Sequence, residues 1–335
     1  MPVAIFDGHN DLLTRADHGS FSRGRPDGHL DLPAMRAGGL RGGIFAVCVP
    51  SEGSGIGDQL APPVSREFAA AYCTVAAGRL HALERDGALR IARRIEDLDA
   101  ALTDDGPPAA VLHLEGAEAI DPELESLELW HAAGLRSLGP VWSRANAFAT
   151  GAPIPGPRAP DNGPGLTGAG ARLVRACAHL GIAVDLSHIN ETGFWDVARL
   201  QAGPLVVSHA GVYALSPTAR NLTDAQLDEV GASGGLIGIV FGPRFLRADC
   251  QPDPDTSLSL IAAHARHVAD RIGVAHVALG SDFDGTTIPA ALGGAAGLPA
   301  LLDELEAAGF SSAEIGMIAA QNWRRVLAAW WQPGA

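Results

Sequence analysis

Apolar residues along this chain come in short dense runs separated by longer stretches of helical period. Runs rich in Val, Ile and Leu fall at residues 3–7, 43–49, 109–114, 136–142, 182–187, 204–208, 235–241 and 276–281. Continuous apolar runs suit strands covered on both faces, and their alternation with helical segments predicts βαβ units and a parallel sheet. Eight strands is the number that closes a barrel, so the expected fold class is α/β, a (β/α)8 TIM-type barrel.

The intervening segments carry apolar stripes at helical spacing: Phe68, Ala71, Tyr72, Val75 and Leu80 in 65–85; Leu173, Val174, Cys177 and Leu180 in 169–180; Leu260, Ile261, Ala265, Val268 and Ile272 in 258–272. Thr223-Asp224 before Gln226 reads as a helix start, and Gly181 as a stop. Two stretches break the rhythm, 51–64 and 149–168, the second with five Pro and five Gly. Both follow a predicted strand, where barrel enzymes carry long catalytic-rim loops. Neither reads as a linker, so residues 1–335 are expected to form one domain.

Composition narrows the partners. The chain has 335 residues, 47% hydrophobic and 19% charged, enough to bury a large core, and its net charge of −14 argues against a nucleic-acid or anionic-membrane surface. Cys48, Cys73, Cys177 and Cys250 form no CxxC pair, which argues against a zinc ribbon or dithiol site; Cys48 reads as a buried, inert thiol. The sequence opens on a strand without an export signal and has no uncharged span long enough for a bilayer. The expectation is a reduced, cytoplasmic protein, with a homodimer among the options for its assembly.

Chemistry enters where the strands end. Five runs lead into metal-type ligands: Ile5-Phe6-Asp7-Gly8-His9-Asn10-Asp11, Val111-Leu112-His113-Leu114-Glu115, Val184-Asp185-Leu186-Ser187-His188, Val206-Val207-Ser208-His209 and Leu279-Gly280-Ser281-Asp282. A lone histidine at a strand end is usually structural, and His18, His29, His81, His131, His179, His264, His267 and His276 are read so. His9 and Asp11, two apart on an extended backbone, leave on the same face. Imidazoles mixed with carboxylates suit zinc or a similar divalent ion. His9, Asp11, Glu115, His188 and His209 suffice for two ions if one carboxylate is shared, and a paired site activates water while polarising a carbonyl.

The segments Asp7-Gly8-His9-Asn10-Asp11-Leu12, His113-Leu114-Glu115-Gly116, Asp185-Leu186-Ser187-His188, Ser208-His209-Ala210 and Gly280-Ser281-Asp282-Phe283-Asp284-Gly285 resemble, in order, the motifs of the membrane (renal) dipeptidases, peptidase family M19. The resemblance implies an amidohydrolase-like barrel whose two zinc ions serve hydrolysis of dipeptides, including L-Xaa-D-Xaa substrates. It assigns His9 and Asp11 to one zinc, His188 and His209 to the other, and Glu115 to the bridge. Asp282 would take a proton from the attacking water and return it to the leaving amine, and Asp284 would be a structural acceptor. Arg220, in Arg220-Asn221, would grip the substrate carboxylate, which a guanidinium fork matches better than an ammonium does.

One position departs from that pattern. Many family members have Thr-His after the fourth barrel strand, the histidine facing the substrate carbonyl; this chain reads Val141-Trp142-Ser143-Arg144-Ala145-Asn146. An indole offers one donor and no positive charge, so Trp142, Arg144 and Asn146 become candidates for substrate binding. A weaker departure, Val240-Phe241-Gly242 in place of an Asn-Phe-Tyr type sequence, also points to an altered pocket. Besides a zinc dipeptidase, the alternatives are an amidohydrolase acting on another carboxylated amide and a metal-bound binding protein without catalysis.

Overall fold

The structure is a computed structural model that describes residues 3–51, 61–103, 106–154 and 163–332. The expected rim loops therefore fall partly outside the described residues, at 52–60 and 155–162. The strands are β1 (Ile5–Asn10), β2 (Leu40–Cys48), β3 (Arg90–Ile91), β4 (Ala109–Glu115), β5 (Leu135–Gly139), β6 (Ala183–Val184), β7 (Val206–Ala210), β8 (Leu236–Ile239) and β9 (Val277–Leu279). They run parallel in two arcs, β1-β2-β4-β5-β6 and β7-β8-β9.

Two seams close the arcs into a barrel. Asp185 bridges Val206, and the Leu186 N–H donates to the Val206 carbonyl at 2.9 Å. Asn10 bridges Phe283, with the Asp11 N–H donating to Phe283 at 2.8 Å and the Asp282 N–H to His9 at 3.0 Å. These seams lie at the ends of β6 and β9, where ligand candidates stand. β3 was not expected; it pairs with Ala109 and Ala110 of β4, before β5 joins β4 at Leu112.

Boundaries move for local reasons. β5 stops at Gly139, short of the expected 142, because Pro140 has no N–H to continue the ladder. β6 keeps two residues because the Asp185 carboxylate captures the Ser187 N–H and hydroxyl and turns the chain. Thr223 and Gln226 form a reciprocal capping box on the helix Asp224–Ala232, and Gly181 ends the helix Gly168–Leu180 at φ 70°. The helix Arg66–Arg85 is present, but its buried face is Ala69, Cys73, Ala76, Ala77, Leu80 and Leu83, and Val75 is exposed. Small residues let this helix approach the strands closely, so the bulkier Phe68-Val75 stripe is not the inward one.

The barrel is narrow around one carbonyl. Register shifts between Asp7 and Asn10 in the β1–β2 ladder, and between Val207 and Ala210 in the β7–β8 ladder, fall where His9 and His209 stand; such irregularities re-aim side chains. Added Cβ atoms at Gly8, Gly238 and Gly280 would lie 2.6, 2.0 and 1.9 Å from the Ser208 carbonyl oxygen. Glycine at these positions lets the strands crowd there. Gly280→Ala is therefore expected to cost about 3 kcal/mol, the upper end of overpacking, against about 1 kcal/mol for Thr223→Ala at the helix cap. Urea denaturation midpoints check the order, and equal losses would refute the crowding.

Candidate metal centre

The barrel mouth gathers three histidines and three carboxylates from β1, β4, the turn after β6, β7 and the turn after β9. Each of His9, Asp11, Glu115, His188, His209 and Asp282 is at most 9% exposed. Glu115 Oε1 lies 2.7 Å from His188 Nε2, 3.6 Å from His9 Nε2 and 3.7 Å from His209 Nε2. His9 Nε2 is also 3.6 Å from Asp11 Oδ2, and the Nε2 atoms of His188 and His209 are 3.0 Å apart. Ligand atoms fall into four groups, each within 4.8 Å: His9/Asp11/Glu115, Glu115/His188/His209, His9/His209/Asp282 and, deeper, His9/His113/Asp185.

The imidazoles are oriented from behind. Ser208 donates its hydroxyl to Asp185 Oδ2 at 2.6 Å, so it accepts from His209 Nδ1 at 2.9 Å and leaves Nε2 as a lone pair facing Glu115. Ser143 holds His188 Nδ1 at 2.9 Å. Outer-shell partners of this kind fix the tautomer of a metal-binding histidine. Both ring nitrogens of His9 are buried without a hydrogen bond among the described residues.

The charges fit a cation. Burial drives His188 down to about 4 and His209 well below its usual range, keeping both neutral as ligands must be. Burial opposes charge on His9 too, but Glu115 and Asp11 outweigh it and hold its pKa well above the ordinary value. Burial likewise opposes ionisation of Glu115, and the positive field of His9 foremost outweighs it, keeping it a carboxylate. A field that favours a proton on His9 favours a divalent ion beside it. The orphaned nitrogens and the N/O donor set therefore fit a metal.

Asp282 sits on a constrained turn. Its φ is 59° and that of Asp284 is 67°, both in the left-handed region that non-glycine residues seldom occupy. An added Cβ at Gly285 would lie 2.1 Å from Asp11 Oδ2 and 2.3 Å from Asp282 Oδ1, so glycine is needed between the two carboxylates. Burial and the nearby Asp11 push the Asp282 pKa well above the usual carboxylate range. Asp284 accepts from Arg25 Nη1 at 2.5 Å and from the His29 N–H at 2.9 Å, tying the turn to the chain after β1.

A cavity of about 500 Å3 opens above these groups. Arg220 lines it, 4% exposed, with Nη2 3.2 Å from His188 Nε2 and its guanidinium over the Phe245 ring at 5.7 Å. Trp142 lines it as well, its ring 5.7 Å from that of His188. Arg144 and Asn146 do not. Arg144 is wholly buried behind Trp142, and Asn146 is consumed by its own loop, bonding the Pro140 carbonyl and the Phe148 and Ala149 N–H groups. Neither reaches the cavity, which corrects their reading as substrate contacts.

Several cavity residues escaped the sequence reading. Cys48, expected as a buried thiol, is half-buried and lines the cavity, its pKa pushed well up by burial and Glu115. Tyr72, Arg15 and Arg244 line it too. His113 lies beneath the centre, its Nδ1 2.9 Å from the Ser137 hydroxyl and its Nε2 3.6 Å from Asp185. Its place in the β4 motif was the only available signal.

The chain is similar to known proteins over nearly its whole length. Residues 2–332 match the membrane dipeptidase family, peptidase family M19. The solved structure of a dipeptidase described as a metallopeptidase of family M19 superposes with a TM-score of 0.93 at 41% identity, covering 99% of both chains. A Rhodobacter sphaeroides metallopeptidase, liganded with a phosphinate mimic of the dipeptide L-Ala-D-Ala, gives 0.93 at 40% identity over 98% of this chain and 99% of that one. A Klebsiella pneumoniae protein described as uncharacterised, from the pqqA 5′ region, is 44% identical over 73% of this chain and 90% of its own length. With the profile spanning nearly every residue and two such structures superposing over the full barrel, this chain belongs to the M19 membrane dipeptidases, metal-dependent hydrolases of small peptides.

Proposed function

We propose that this protein hydrolyses dipeptides, L-Xaa-D-Xaa among them, at a centre for two zinc ions. The observation that carries the reading is one shared carboxylate: the groups His9/Asp11/Glu115 and Glu115/His188/His209 have Glu115 in common. In this assignment His9 and Asp11 would hold one ion, His188 and His209 the other, and Glu115 would be the ligand common to both. When bound, such a pair polarises the scissile carbonyl and makes water a stronger nucleophile at neutral pH. The Rhodobacter relative with its L-Ala-D-Ala mimic supports the stereochemical preference.

The protein's own groups do the positioning and the proton transfer. Arg220, buried beside His188, receives the C-terminal carboxylate through its planar fork. Asp282, held by its N–H bond to the His9 carbonyl, takes a proton from the attacking water and returns it to the leaving amine. Its carboxylate falls in one group with His9 and His209, within reach of a water at the centre. Trp142, where the family resemblance leads to the expectation of histidine, walls the site, and its indole N–H has no protein acceptor among the described residues. That substitution favours a second reading in which the same centre cleaves another carboxylated amide.

Two outcomes test these assignments. Metal analysis of the purified protein should find about two ions per chain, as expected of a paired hydrolytic site. Glu115→Gln should lower occupancy at both, whereas loss of only one ion would refute the shared carboxylate. On a panel of dipeptides, Asp282→Asn should lower kcat by roughly 100- to 10,000-fold with little change in KM. Arg220→Lys should instead raise KM by about tenfold or more. A variant Arg220→Lys with normal KM would remove that residue from carboxylate binding.

A further inference from the structure

Behind the cavity wall stands a pair of charges that the reaction above does not use. The Glu118 side chain is 3% exposed and that of Arg144 is 1% exposed, with Nε 3.5 Å from Oε1. Glu118 follows the shared Glu115 by three residues and folds back over Gly116, whose φ is 104° and whose added Cβ would lie 2.2 Å from Oε2. Among the described residues neither Glu118 oxygen has a hydrogen-bond partner, nor do Arg144 Nε and Nη1. Burial pushes the Glu118 pKa up, and Arg144, with smaller help from the Glu118 backbone N–H and the Asn146 amide, pulls it down without cancelling the rise. An ion pair desolvated in this way gives little stability in return.

Its geometry has a clearer consequence. The Arg144 guanidinium lies over the Trp142 ring at 4.7 Å from the centroid, and Trp142 lies 5.7 Å from the His188 ring at an interplanar angle of 34°. Arg144 Nη2 donates to the Val49 carbonyl, so one guanidinium ties the segment after β5 to the end of β2, where Cys48, Val49 and Pro50 line the cavity. Ser143, between Trp142 and Arg144, is the partner of His188 Nδ1.

We propose that Glu118 and Arg144 are positioning residues, whose buried ion pair presses the planar guanidinium against Trp142 and fixes the wall on which a dipeptide is seated beside His188. This rests on the dipeptidase reading. A guanidinium can hold Glu118, Val49 and an aromatic face at once, which an ammonium cannot. Specificity for the substrate residue next to Trp142 is then set three residues past the shared Glu115, on the same strand end.

The test is a cycle of variants compared with the wild-type holoenzyme. Glu118→Gln/Arg144→Met removes both charges at similar volume, so no lone charge is left buried. It is expected to keep normal melting and metal content while KM, and the dissociation constant of a phosphinate dipeptide mimic, rise about tenfold and kcat changes little. Arg144→Lys should show the same KM loss, because the charge remains but the plane is gone. In a Trp142→Leu background the double substitution should add almost nothing, since both act through one indole. Wild-type KM in the charge-free variant, or losses that multiply with Trp142→Leu, would overturn the positioning role alone. A wild-type protein that neither cleaves dipeptides nor binds the mimic would overturn the dipeptidase reading as well.

Discussion

A carboxylate buried to the depth of Glu115 must find positive charge or donors nearby, because water no longer solvates it. Here the surroundings are three imidazoles, and two of them are held neutral by the same burial. One oxygen therefore has His9, His188 and His209 within 3.7 Å. That arrangement suits a metal cradle, since His188 and His209 present lone pairs and the field of Glu115 and Asp11 favours positive charge at His9. The orientation of the ring nitrogens follows: Ser208 and Ser143 occupy the Nδ1 sides of His209 and His188, leaving Nε2 for the centre.

Holding six ionisable groups at one mouth shapes the backbone beneath. β1 and β7 slip register where His9 and His209 must turn inward, and the displaced Ser208 carbonyl is accommodated only because Gly8, Gly238 and Gly280 lack side chains. Left-handed backbone at Asp282 and Asp284 carries a conformational cost that surrounding contacts must offset. Arg25 and the His29 N–H supply those contacts through Asp284. The acid of the proposed reaction is thus positioned by its neighbour two residues on, which has no part in the chemistry.

What could be read in the sequence follows from what periodicity encodes. Apolar runs mark buried strands whatever the topology, so all eight barrel strands were visible, and ligands standing at strand ends pointed to one rim. Strand lengths were not visible, because they were decided by Pro140 and by the Asp185 side chain bonds rather than by hydropathy. The inward face of the helix Arg66–Arg85 was misread for a related reason. Large apolar residues signal burial most strongly, yet here alanines and Cys73 carry the contact and leave Val75 outside. His113 and Cys48 were in plain view, but residues of the same type with nothing to separate them from structural ones give no signal until distances do.

The segment after β5 shows the limit of reading by type most clearly. Trp142, Arg144 and Asn146 all offer donors, and a missing histidine invites each to replace it. Folding separates them: Asn146 is consumed closing its own loop, Arg144 faces inward to Glu118 and Val49, and only the Trp142 ring remains on the cavity. A guanidinium placed on the cavity would have added a further cation to Arg15, Arg220 and Arg244. Placed behind the indole, it stiffens the wall without adding charge to the cavity. Of the groups beside His188, Arg220 is then the cation and the Trp142 ring the aromatic wall.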